Sequence, residues 1–313
     1  KGEVPDERLG LLFVCAHPAI DPAARTPLML QTVLGIEAGR ISSAFLTSPA
    51  SMSQRLVRAK TKIRAAGIPF TVPSRDEWPE RVGFVLDAIY AAYTTGWENA
   101  LSELPDTGGL AHEALWLAQL LVQLLPDEPE ALGLLALLLH CQGRRTARLD
   151  AAGRYVPLPE QDTARWDHTL IAQAEAALAT AARHRNIGRF QLEAAIQSVH
   201  AQRARSGETQ WEAIALLYEA LVQHTPALGA QICRALALAR TCGPSTGLAA
   251  LDAMPQDLLA DHQPYWATRA QLLAELHRPA EARTAYARAM GLTEDRAIRE
   301  FLAGRAVHAG AGL

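Results

Sequence analysis

Long apolar runs are missing from this chain. The richest, Ala131 to Leu139, stops at His140, short of the roughly 20 residues that a bilayer-spanning helix needs, so no membrane segment is expected. β-Branched residues are sparse and aromatics make up 6%, which thins out the residues that favour strands. Alanine and leucine dominate instead, and their side chains lose little freedom in a helix; the expectation is an all-α protein. The four cysteines, Cys15, Cys141, Cys233 and Cys242, show no metal-ligand spacing, which predicts free, mostly buried thiols in a reducing cytoplasm. A glycine-rich phosphate loop, an HExxH motif and a nucleophile elbow are all absent, so neither catalytic residues nor a cofactor or metal is expected. His17, His168 and His200 read as capping or buried structural residues, and Asp127-Glu128 as a solvated turn. The start, Lys1-Gly2-Glu3-Val4-Pro5, has neither an initiating methionine nor an apolar signal core and reads as a cut within a longer chain.

Acidic residues are missing locally as well. Between Ala38 and Arg75 there are seven basic residues, Arg40, Arg55, Arg58, Lys60, Lys62, Arg64 and Arg75, and no Asp or Glu, in a chain of net charge −3. The overall acidity excludes a protein coated in basic residues, so any nucleic-acid site must be local. Arg8 to Ala16 and Arg25 to Leu34 show helical apolar spacing, broken by His17-Pro18 and Asp21-Pro22. A short helix with Ile41, Ala44 and Phe45 on one side follows Gly35. Thr47-Ser48-Pro49 then supplies a polar cap and a proline suited to a first helical turn. From Pro49 onward, Met52, Leu56, Ala59 and Ile63 form one stripe, while Ser51, Gln54, Arg55, Arg58 and Lys62 gather about a quarter-turn away. Ile36 to Ala66 therefore reads as a helix-turn-helix whose second helix is built to lie in a DNA major groove, where Gln pairs with adenine and Arg with guanine. The plainer alternative is a charged face that merely meets water.

The run from Gly35-Ile36 through Ile41-Ser42-Ser43-Ala44-Phe45-Leu46 to Ser51-Met52-Ser53-Gln54-Arg55-Leu56-Val57-Arg58-Ala59-Lys60 resembles region 4 of an extracytoplasmic-function (ECF) RNA polymerase sigma factor. Cys15-Ala16-His17-Pro18-Ala19, Ile68-Pro69-Phe70 and Val85 to Tyr90 resemble the subgroup with a long C-terminal tetratricopeptide-like extension, and the resemblance continues to the chain end. It implies binding of the −35 promoter element and contact with the β flap of core RNA polymerase. Position by position, it implies that Gln54, Val57 and Arg58 face bases and that Ser51, Ser53, Arg55, Lys60 and Lys62 hold phosphates, with Arg40 on the preceding helix also at the DNA. Glu37-Ala38-Gly39-Arg40 departs from the family pattern, and an internal glycine costs about 1 kcal/mol relative to alanine, which predicts a weak first helix. The family's region 2, which reads the −10 element, is expected to precede residue 1.

The expected organisation is a DNA-binding domain over 1–72, a helical connecting hairpin over 73–165 and a helical repeat domain over 166–313, with a junction at Pro69 to Pro79. Arg81 to Tyr93, His112 to Leu125 and Pro129 to Cys141 read as helices, the last two joined tightly through Pro126-Asp127-Glu128. In Tyr265 to Leu292, Ala270, Ala282, Tyr286 and Ala289 occupy the small and aromatic positions of a tetratricopeptide repeat of about 34 residues. Ala235, Gly247 and Leu251 fit one period earlier. Ala213, Leu217, Ala220 and Pro226, preceded by Phe190 to Arg203, fit before that. Such small residues serve close helix packing, and a protein or peptide partner would use the concave surface. Gln161-Asp162-Thr163-Ala164-Arg165-Trp166-Asp167 admits two readings, a polar loop capping the next helix or a docking surface. Three functions stay open: a sigma-factor fragment, a stand-alone regulator with a tetratricopeptide sensor, and a protein-interaction scaffold.

Overall fold

The computed structural model describes residues 6–45, 47–68, 71–99 and 108–310. Among them the chain is all-α, with fifteen α-helices and a single isolated antiparallel bridge between Leu149 and Tyr155. Two compact units divide it, residues 1–135 and 136–313. Leu46, Pro69, Phe70 and Lys1 to Pro5, all used in the sequence reading, lie outside the described residues.

The first unit contains α1 (Glu7–Cys15), α2 (Pro22–Thr32), α3 (Ala38–Ala44), α4 (Pro49–Ala65), α5 (Val82–Asn99), α6 (Gly108–Leu124) and the start of α7 (Pro129–Gly143). Asp6 and Asp21 begin the first two helices by accepting hydrogen bonds from first-turn amides, satisfying donors that the helix itself leaves orphaned. Gly35 ends α2 at φ +67, where the absence of Cβ makes a left-handed residue inexpensive. The amide of Ile36 then reaches back to Leu30 O at 2.9 Å. α3 has only seven residues, and Ser42 Oγ donates back to Gly39 O at 2.6 Å.

α2 packs on α3, α4 and α5, and α1 on α2 and α5. Leu9, Leu12, Phe13, Leu28, Met29, Ile41, Met52, Val85 and Ile89 are all buried in this unit, each contributing about 1.5–3 kcal/mol of burial. Two buried arginines fasten the loops. Arg25 donates to Ile20 O and Pro18 O, both at 2.9 Å, and lies 4.5 Å from the Phe84 ring. Arg81 donates to Phe13 O at 3.2 Å and pairs with Glu77. Trp78 is buried 5.3 Å from Phe13, its indole N–H donating to Pro73 O. The proline-bearing stretch before α5 is thus held by side chains of α1, and residues 73–135 fall in the same compact unit as 1–72.

The second unit runs from the later part of α7 through α8 (His168–Ala182), α9 (Arg189–Ser206), α10 (Trp211–His224), α11 (Leu228–Cys242), α12 (Pro244–Asp252), α13 (Gln263–Glu275), α14 (Pro279–Gly291) and α15 (Arg296–Gly310). From α8 onward each helix packs on the next, and α11 also reaches α13. Ala235, Leu251, Ala270, Ala282, Tyr286 and Ala289 are all buried. At Gly247 an added Cβ would meet Ala235 O and Ala239 Cβ, both at 2.6 Å, so α12 sits where only a glycine lets the two backbones approach. On α10 the fully buried positions are Ile214 and Leu221, whereas Leu217 and Ala220 are only partly covered; Pro226 is exposed. The expectation of mostly buried thiols is corrected. All four are free, but only Cys15 is buried, and Cys233 and Cys242 are exposed, because one sits on an outward position of α11 and the other at its last turn.

Candidate nucleic-acid interface

Helix α4 starts because Ser48 Oγ accepts the amide of Ser51 at 3.2 Å and Pro49 pre-sets the first turn. Lys62 and Arg64 occupy its last turn, where cations oppose the negative end of the helix dipole. Met52, Leu56 and Ala59 are buried and Ile63 half-buried, so the apolar stripe faces inward. Ser51, Ser53, Gln54, Val57, Arg58 and Lys62 are exposed, as is Arg40 on α3. Ser51 to Lys62 covers about 16 Å of helix at 1.5 Å per residue.

The basic side chains divide into two groups. Arg40, Arg58, Lys62 and Arg64 have no intramolecular hydrogen-bond or ion-pair partner among the described residues. Arg55 and Lys60, by contrast, are half-buried and turned toward α2. Lys60 Nζ donates to Gln31 Oε1 at 2.7 Å and Arg55 Nη1 to Ala23 O at 3.4 Å. The second contact has a covalent origin. Pro27 lies inside α2 and carries no N–H, so the carbonyl four residues earlier, that of Ala23, lacks its helical donor.

Sequence reasoning passed over Arg64 as a contact residue although its charge was in view; its exposure and lack of partner place it with Arg58 and Lys62. Val57 is 63% exposed, an apolar side chain standing on the polar face. No acidic residue lies in the first turn of α4.

The Gln161–Asp167 segment is structural in its local role. Asp167 accepts the amides of Thr169 and Leu170 at 2.9 and 3.0 Å, capping α8. Trp166 is buried, its indole N–H on Gln161 Oε1 at 3.2 Å, with the guanidiniums of Arg144 and Arg203 5.9 and 5.2 Å from its ring. Among the described residues no cluster of three or more His, Cys, Asp or Glu could hold a metal ion, and no helix is long and apolar enough to cross a membrane.

Residues 81–182 match the model of a family described as of unknown function, DUF6596. No solved structure matches the chain. A protein of Rhizobium meliloti (strain 1021), described as uncharacterized protein R00370, is 39% identical over 287 residues, 92% of this chain and 68% of that protein. Identity at that level over most of both chains places this chain in the same family as the Rhizobium meliloti protein R00370.

Proposed function

We propose that the first unit binds duplex DNA through α4, as the −35-reading region of an ECF-type sigma factor, and that the second is a tetratricopeptide-like regulatory array. The observation that supports this best is the outward face of α4. It presents Gln54, Arg58 and Lys62 without intramolecular partners, beside a capped N-terminus and with no acid between Ala38 and Arg75. In a major groove, Gln54 and Arg58 supply bidentate donors to adenine and guanine, and Val57 an apolar contact for a thymine methyl. Lys62, Arg64 and Arg40 hold phosphates, which fix register without reading sequence. Lys60 and Arg55 reach phosphate by leaving α2. The role is binding, in the cytoplasm, with core RNA polymerase as the protein partner.

The helix-on-next-helix packing from α8 to α15, with α11 reaching α13, supports the array reading, since stacked helical pairs bury a continuous core that no pair buries alone. The deciding experiment is anisotropy of a labelled duplex titrated with the chain at several salt concentrations, with core polymerase then added. Binding that weakens as salt rises, and a ternary complex with polymerase, are the expected results. Equal binding by wild type and Arg58→Ala would overturn the assignment of α4. DNA binding without polymerase association would favour a stand-alone regulator.

A further inference from the structure

Between α7 and α8 the chain makes a tight loop. Asp150 Oδ1 accepts the amides of Ala152 and Arg154 at 2.8 and 2.9 Å, and Leu149 bridges to Tyr155. From there Tyr155 to Glu160 runs as a strap onto α15. The Tyr155 and Phe301 rings meet edge to face at 5.4 Å, and Glu160 forms an ion pair with Arg305. The strap's backbone is pinned, because Arg165 donates to Leu149 O at 2.6 Å and Arg203 to Leu158 O and Gln161 O, on either side of Glu160, at 3.1 and 2.8 Å. The contact with α15 is looser. A cavity of 480 Å³ lies on one side of it, bounded by the strap and by residues of α10, α11, α13, α14 and α15, a size suited to a small organic ligand.

The walls of this cavity are mainly apolar, with Trp211, Leu236, Ile298, Phe301 and Leu302 among them and Pro157 and Pro159 on the strap side. Its polar groups include two arginines. Arg240 is already held by both carboxylate oxygens of Glu275, at 3.1 and 2.8 Å. Tyr286 lines the cavity and is only 4% exposed, yet its hydroxyl has no hydrogen-bond partner among the described residues. The hydroxyl is thus free to donate to an occupant of the cavity. Arg305 is paired with Glu160, and that carboxylate is the only acidic group among the lining residues. Both side chains of the pair are about half exposed, and an ion pair so exposed is weak. Arg305 therefore already displays its preferred partner, a carboxylate, on a half-exposed side chain that can turn away.

We propose that this cavity binds a small organic acid, an apolar body bearing one carboxylate, which takes Arg305 from Glu160 and accepts a hydrogen bond from Tyr286. The ligand's carboxylate replaces that of Glu160 on the same guanidinium fork, and burial of its apolar body against the cavity walls supplies the added affinity. A compact acid needs only the Glu160–Arg305 contact to open, whereas an extended peptide would have to displace a strap fastened by Arg165 and Arg203. The site is independent of the DNA-binding reading of α4.

Calorimetry on the whole chain tests it, with octanoate, 4-phenylbutyrate and indole-3-butyrate, each against its primary amide. At least one acid binds, and its amide binds about tenfold more weakly or worse. Glu160→Gln strengthens acid binding severalfold and leaves the amide unchanged. Arg305→Gln brings the acid down to the level of its amide. Tyr286→Phe weakens the acid without lowering the melting temperature. Three results would overturn the proposal: no acid binding to wild type or Glu160→Gln at millimolar concentration, equal binding of acids and amides, or binding only of a tripeptide ending in Leu-Phe with a free carboxylate.

Discussion

Arg58 and Lys62 differ from Arg55 and Lys60 in what they would give up on meeting a phosphate or a base. The first pair has no intramolecular partner, and the second must leave Ala23 O and Gln31. Arg58→Ala should therefore weaken binding to its cognate duplex by about 1–3 kcal/mol while changing stability by less than about 0.5 kcal/mol, measured by anisotropy and thermal unfolding. Lys62→Ala should weaken all sequences alike and lower the salt slope by about one. Lys60→Ala should cost less, because its bond to Gln31 is lost on binding in any case. In the second unit, Gly247→Ala places a methyl 2.6 Å from both Ala235 O and Ala239 Cβ. Forced overpacking of that kind should destabilise by about 1–3 kcal/mol, read as a lowered melting temperature.

Helices were legible in the sequence where their causes are local. α4 follows from Ser48, Pro49 and a 3.6-residue stripe, all within one window, and α14 from alanines that must let a neighbour approach. What the sequence left open depends on distant partners. Pro157-Leu158-Pro159 reads as an interruption of the helices, and only the fold brings the adjoining Glu160 to Arg305, 145 residues away. The same holds for Trp78, which belongs to a breaker stretch in sequence but packs on Phe13 from α1. Because α5 packs on α1 and α2, a truncation after Pro79 would strip the first unit of part of its own core.

At the same scale, α7 and α9 each carry a buried histidine. Burial, reinforced by Arg144, holds His140 at about 3, and burial with Arg144 and Arg203 holds His200 at about 4. Both folded-state values lie below the ordinary 6.5, so the unfolded chain takes up protons first as pH falls. Their stabilising contribution is complete above pH 6.5 and is lost as the pH drops toward 4 and then 3, at up to about 1.4 kcal/mol per group per pH unit. Denaturant midpoints measured across that window should fall, and His140→Leu should flatten the decline.

Over the whole molecule the charge is segregated. The net charge is −3, yet residues 38–75 contribute seven positive charges and no acid, leaving −10 for the rest. On the proposed reading, a duplex would be drawn to residues 38–75 against the net acidity of the rest of the chain. With Arg40, Lys62 and Arg64 available for phosphates, the logarithm of the DNA affinity should fall against the logarithm of salt with a slope of about −3. A slope near zero would place the binding elsewhere.

The Glu160–Arg305 contact has one further consequence. A competitor encoded in the same chain is present at a fixed local concentration that dilution does not change. An acid arriving at Arg305 meets the same opposition in a dilute sample as in a crowded cell, so the concentration at which the site fills is a constant of the sequence. The position at which Arg203 holds the backbone on either side of Glu160 is the dial that sets it.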